Sequence, residues 1–213
     1  MSPRAAYSSV DVSIVVTNQD QGPFLERCLR SCLAQTFPGR FHEVIVVDAA
    51  SRDFSREVIH AYGRQIVPIL LDDPQAMLEA AVAAGMKRAR GRYVLHVRAQ
   101  DFLSDYMILF QAIWLYQNVQ HHGVSVDYWL MDEGSEAKLT RVSGLEHPYG
   151  TMYRKEIWVK EGLYEVPPQG RIVDALHQRL AMTYTIGHLP IPFYRFQQER
   201  QQVVGSRDRE VVG

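Results

Sequence analysis

The amino-acid sequence predicts an α/β protein, a mostly parallel central sheet with helices on both faces. Two observations carry this. Apolar, β-branched runs recur without polar alternation, as in VSIVVT (Val12–Thr17), EVIVVD (Glu43–Asp48) and RYVLHV (Arg92–Val97), and such runs belong to strands covered on both faces. Between them lie segments whose apolar residues return at helical spacing. Strand–helix units in succession imply crossover connections, and those give parallel pairing.

The elements follow in order. After the first strand, Pro23 suits a first helical turn, and Phe24, Leu25, Cys28, Leu29, Cys32 and Leu33 mark one helix face, ended by Phe37-Pro38-Gly39. The second strand runs into a polar turn, Ala49–Asp53, and a helix over Ser55–Gly63 closed by its glycine. Gln65–Leu71 is a third strand, and its Pro68 places it at an edge. Ala76–Arg90 is a helix leading to the fourth strand. Beyond it the pattern predicts a helix over Tyr106–Gln120, a strand over Val124–Met131 and a charged turn at Glu133–Lys138. A short helix at KEIWVKEG, another over Ile172–Met182 and a proline-broken final strand over Tyr184–Phe196 complete the series.

With 213 residues and no linker rich in Gly, Ser or Pro, the expected organisation is a tail (1–10), one domain (11–196) and a polar tail (197–213). A formal net charge of -1 gives no reason to expect nucleic acid as a partner. No apolar run approaches the ~20 residues of a membrane span. The N-terminus lacks a signal-peptide core, so the expected location is cytoplasmic. Cys28 and Cys32, the only cysteines, lie on the apolar face of a helix and are expected in the core.

In sheets of this class ligands bind outside the carboxyl ends of the strands. The loops at 17–22, 48–53 and 98–104 are therefore expected to share one rim. Arg98, Gln100 and Asp101 stand directly after the fourth strand, in YVLHVRAQDFL.

The order and spacing of these segments resemble the family 2 glycosyltransferases, with their GT-A fold. VSIVVTNQDQGPFLERCLRSCLAQTFP is similar to the family's opening strand, loop and helix, and VIVVDAAS to its second strand and Asp-Asp-Gly-Ser turn. AAVAAGMKRARGRYVLHV resembles the helix and strand before the metal motif; GTMYRKEIWVKEGLY and YTIGHLPIPFYRF resemble acceptor-side segments. The resemblance implies transfer of a sugar from a nucleotide-diphosphate donor to an acceptor, with Mg²⁺ or Mn²⁺ neutralising the leaving diphosphate. Carried over position by position, it assigns donor contacts to Thr17, Asp48, Ser51, Arg98, Gln100 and Asp101. Asp174 is the candidate base, one residue out of register with the family's acid, and His147 a candidate acceptor contact.

The departures are chemical. The metal-binding pair of aspartates falls on Arg98 and Gln100, with Asp101 as a trailing acid. The pair's formal charge moves from about -2 to +1, which repels a divalent ion, so the metal implied by the family is not expected to bind. Ala49 replaces the acid that meets the nucleobase, Gln19 a usual tyrosine, and Val82-Ala83 a frequent Arg-Asn pair. Arg98 has two readings, a fixed cation for diphosphate or an ion-pair partner of Asp101. The chain as a whole likewise has two. One is a glycosyltransferase working without a tightly bound metal or with an unusual one. The other is a non-catalytic GT-A domain binding a carbohydrate, a nucleotide, a protein partner or its own copies.

Overall fold

The computed structural model describes residues 10–37, 42–73, 78–131, 139–143, 149–161 and 180–197. The first strand, β1 (Val12–Asn18), leads into helix α1 (Gly22–Leu33). Then come β2 (His42–Ala49), α2 (Ser55–Tyr62), β3 (Val67–Leu71), α3 (Leu78–Arg88) and β4 (Tyr93–Arg98). The second half holds β5 (Phe102–Leu103), α4 (Met107–Gln117), β6 (Gly123–Met131) and β7 (Leu139–Val142). It ends with β8 (Met152–Arg154), α5 (Lys155–Lys160) and β9 (Ile186–Gln197).

The sheet runs β3-β2-β1-β4-β8-β6-β9-β5, with β7 hydrogen-bonded to β6 off this path. Among β1 to β4 every pairing is parallel, as the strand–helix alternation predicts. The other half is mixed. β4 and β6 each pair antiparallel with β8, whereas β6 and β9 run parallel. β3 is the edge strand that Pro68 foretells.

Helices cover both faces. On one, Leu25, Cys28, Leu29 and Cys32 of α1, Ile59 of α2, and Met107, Ile108 and Leu115 of α4 pack against Val12, Ile14 and Val16. On the other, Ala81, Val82 and Met86 of α3 and Ile157 and Trp158 of α5 pack against Val15, Ile45 and Val47. Alternate side chains of β1 thus enter different cores, which is why its central residues, Ile14, Val15 and Val16, are apolar without alternation. Both cysteines are buried free thiols.

β9 is the longest strand, and its pairing with β6 shifts register on both sides of Asp127. Pro190 and Ile191 fall in the resulting bulge, the break expected at the prolines. Asp127 holds it, accepting from Arg141 (2.9 and 2.6 Å) and from His188 (2.9 Å), while Arg141 also donates to the Pro190 carbonyl.

Three features differ from the sequence expectation. Residues 98–104 contain the two-residue strand β5, and β7 and β8 lie where no strand is predicted. His121 and His122, just after α4, are partly buried, packed on Trp114 and Tyr184 respectively. The predicted turn at Glu133–Lys138 lies outside the described residues, as does most of the 172–182 helix, of which 180–182 are described as helical.

Candidate functional site

Parallel pairing brings the carboxyl ends of β1, β2 and β4 to one level. Asn18 stands beside Asp48, and Thr17 beside Arg98. Two hydrogen-bonded clusters form along this rim.

The first is built on Asp48, whose side chain is inaccessible to solvent. Its Oδ1 accepts from Asn18 Nδ2 (2.7 Å) and Ser51 Oγ (2.5 Å). Its Oδ2 accepts from the Ser51 amide (3.1 Å) and from Arg56 Nε (3.1 Å). Arg56 also reaches the Leu71 carbonyl (2.8 Å) and Asp72, so it ties the ends of β2 and β3 together. Ser51 Oγ in turn accepts from the Asp20 amide (2.9 Å), and Asp20 Oδ1 from the Arg52 amide (2.6 Å). The loops after β1 and β2 are clasped side chain to backbone. Next to this cluster, Asp53 Oδ1 accepts from the Ser55 amide (2.9 Å) just ahead of α2.

The turn after Asp48 requires Ala50 to adopt φ 53°, in the left-handed region, where the family's turn has glycine. A Cβ there costs about 1 kcal/mol. Ala50→Gly is therefore expected to stabilise the protein by about 0.5–1 kcal/mol and raise its thermal midpoint by roughly 2–3 °C. Differential scanning calorimetry checks this, and an unchanged or lower midpoint would show that the turn carries no such strain.

The second cluster is built on Asp101, also fully buried. Arg98 grips it with two donors, Nε to Oδ2 at 2.8 Å and Nη2 to Oδ1 at 3.0 Å. Tyr194 Oη donates to Oδ2 (2.6 Å) and the Gln197 amide to Oδ1 (2.8 Å). Each carboxylate oxygen thus has two donors, which fills the capacity of the group. Arg98 Nη2 also donates to the Gln197 carbonyl (3.1 Å), and the guanidinium lies 4.1 Å from the Phe196 ring centre and 4.8 Å from that of Tyr149. Its side chain is only 13% exposed. Burial opposes both charges and pushes the Asp101 carboxyl upward, against the pull of the guanidinium, the Tyr194 hydroxyl and the Gln197 amide. Burial likewise works to lower Arg98, but its bonds to Asp101 hold it above its ordinary value. Beside this pair, Gln100 is buried and its carbonyl accepts from Arg27 (3.0 Å).

A divalent cation does not fit these residues. Asp101 has no lone pair to offer without losing a donor, and the nearest charge is a guanidinium. Among the described residues no three His, Cys, Asp or Glu side chains gather as ligands.

Thr17 is buried and bonded to His96, Oγ1 to Nε2 at 2.8 Å. Burial and then the charge of Arg98 lower the His96 pKa to about 4, so the imidazole is neutral near pH 7. The native state resists a proton that the unfolded chain takes up near pH 6.5. This contribution to stability is complete above pH 6.5 and is lost as pH falls toward 4. Thermal midpoints measured from pH 7 to 4.5 are expected to fall less in His96→Gln than in the unmodified protein; parallel profiles would refute this.

The six expected donor contacts thus sit on one rim, in two clusters and one buried Thr–His pair. Asp174 and His147 lie outside the described residues. Sequence reasoning missed Asn18, Arg56, Tyr194 and Gln197. Asn18 is adjacent to Thr17 and could have been found as a polar residue at a buried strand's end. Arg56 lies eight residues beyond Asp48, in the first turn of α2, whereas Tyr194 and Gln197 are far in sequence from the Asp101 they bind.

A sheet of this order, covered by helices on both faces, belongs to the GT-A class. Residues 12–158 match the family described as Glycosyl transferase family 2, and the chain belongs to that family. It is 33% identical over 97 residues to the uncharacterized glycosyltransferase EpsJ of Bacillus subtilis (strain 168), a match covering 45% of this chain and 28% of EpsJ. With Glycosyltransferase GlyG of Streptococcus pneumoniae serotype 4 it shares 31% over 127 residues, covering 57% of this chain and 40% of GlyG. The chain therefore spans less than half the length of either relative. Among solved structures it resembles S. aureus TarS 1-349 in complex with UDP-GlcNAc. The TM-score is 0.71 at 17% identity, over 91% of this chain and 60% of that one. Among the described residues no helix is long and apolar enough to cross a membrane.

Proposed function

We propose that this chain is a glycosyltransferase domain that takes a nucleotide-diphosphate sugar at the rim of β1, β2 and β4 without a divalent ion. The observation that carries the proposal is the two-pronged bond between Arg98 and Asp101, sealed by Tyr194 and Gln197. In this reading Arg98 and Gln100 stand where relatives hold metal-binding aspartates, and the guanidinium is a fixed cation beside the diphosphate. Family membership and the UDP-GlcNAc bound by TarS support the ligand class. Asp174 is the proposed base that takes the acceptor hydroxyl's proton.

A second reading is favoured by one observation. Asp48, Arg98 and Asp101 are already bonded within the protein, and the Arg98–Asp101 pair is neutral overall. A domain that binds a ligand or partner without catalysing transfer accounts for this as well.

Calorimetric titration with UDP, GDP and CDP sugars, with EDTA or Mn²⁺, tests both. Micromolar binding that Mn²⁺ does not strengthen, with slow release of free nucleoside diphosphate, is the expected result. Binding without any release of nucleotide supports the second reading. Affinity that rises tenfold or more with Mn²⁺ overturns the metal-free site, and no binding at millimolar concentration overturns the ligand class.

A further inference from the structure

Helix α4, MILFQAIWLYQ, has no charged side chain and, apart from the buried Gln111 and the terminal Gln117, carries apolar or aromatic side chains on both its inner and outer faces. Met107, Ile108, Ala112 and Leu115 face the core. A second stripe, at spacings of four and three, faces outward: Tyr106 (47% exposed), Phe110 (46%), Ile113 (46%) and Tyr116 (62%). Phe193 of β9 extends it, stacked on Phe110 with ring centres 5.4 Å apart. A helix hydrophobic all round is ordinarily covered on both faces, and an apolar patch of this extent on a soluble domain marks an interface.

We infer that this stripe is the two-fold contact of a homodimer, α4 packed against α4 of a second copy. Three properties select that occupant. The helix offers no charge to recruit an acidic or basic partner, whereas an uncharged apolar stripe is complementary to itself, as an isologous contact requires. A lipid surface would call for a cluster of flanking basic residues, but no Lys or Arg occurs between Arg98 and Lys138, and β9 brings only Arg195 near Phe193. The half-exposed side chains also present enough area: two copies would bury on the order of 1,000 Å² together, the threshold of a specific interface. With a net charge of -1, copies do not repel one another strongly. The contact is independent of the ligand proposed above.

Sedimentation velocity of the full chain across a concentration series tests it. A concentration-dependent dimer is expected, weakened about a hundredfold or more in Ile113→Asp and in Phe110→Glu, with unchanged circular dichroism and nucleotide affinity. Because Cys28 and Cys32 are fully buried, Ile113→Cys with a short bis-maleimide is expected to cross-link copies through the new thiol alone. A monomer at every concentration overturns the inference, as does a dimer indifferent to both substitutions. Binding to neutral or anionic vesicles without self-association overturns it in favour of a membrane contact.

Discussion

Asp101→Ala is expected to lower the stability of the folded protein by about 3–5 kcal/mol, because it strands a buried guanidinium with no counter-charge. Arg98 is 13% exposed and cannot turn outward to full hydration without leaving its place between Phe196 and Tyr149. The Tyr194 hydroxyl and Gln197 amide lose their acceptor in the same step, adding the cost of unmade hydrogen bonds. For a chain of this size the thermal midpoint should fall by roughly 10–15 °C. Removing both charges should hurt less. Arg98→Met combined with Asp101→Asn keeps an acceptor for Tyr194 and leaves no ion in the interior, so it is expected to retain more stability than Asp101→Ala alone. Urea denaturation of the three proteins makes the comparison. A loss below about 1 kcal/mol in Asp101→Ala would mean that water reaches the pair and that the closed site described above is wrong.

The second large effect lies at the other end of β9. A Cβ added at Gly187 would stand 1.8 Å from Cη2 of Trp114, and 2.5 and 2.6 Å from two further atoms of the same ring. The indole rests on the bare backbone of the strand and is held from its other side by His121, at 4.7 Å between ring centres. Gly187→Ala must displace either the ring or the strand, at a cost of about 3 kcal/mol. The argument is specific to the ring. In a Trp114→Leu background the same substitution should cost much less, giving a coupling on the order of 2 kcal/mol in a double-mutant cycle. Equal costs in the two backgrounds would place the damage elsewhere in β9.

β1, β2 and β4 could be read from the sequence because each is buried on both faces, and such strands are apolar and β-branched; β3, half-exposed at the edge, was read from its short apolar run and its proline. Periodicity needs a window of several residues, and β5, β7 and β8 are too short to supply one. The rim itself was legible for a topological reason, since parallel strands must present their carboxyl ends together. What the site residues do there was not. Arg98 and Asp101 are three apart, and their pairing was one of two readings open from the sequence. The groups that close the pair, Tyr194 and Gln197, are 93 and 96 residues from Asp101. No local pattern announces a contact at that separation. The left-handed Ala50 could have been suspected only because a glycine stands there in the family's turn.

That separation also has a bearing on how the molecule assembles. β9 lies between β6 and β5 in the sheet although it follows both in the chain. β5 therefore gains its strand partner only when the last strand slots in beside it, and the Asp101 carboxylate meets Tyr194 and Gln197 in the same event. Contacts so distant along the chain carry a large loop-closure cost and form slowly. On the ribosome, the amino-terminal parallel sheet can pair as soon as β4 has emerged. The rim where a ligand would sit must wait for almost the whole described chain to be made.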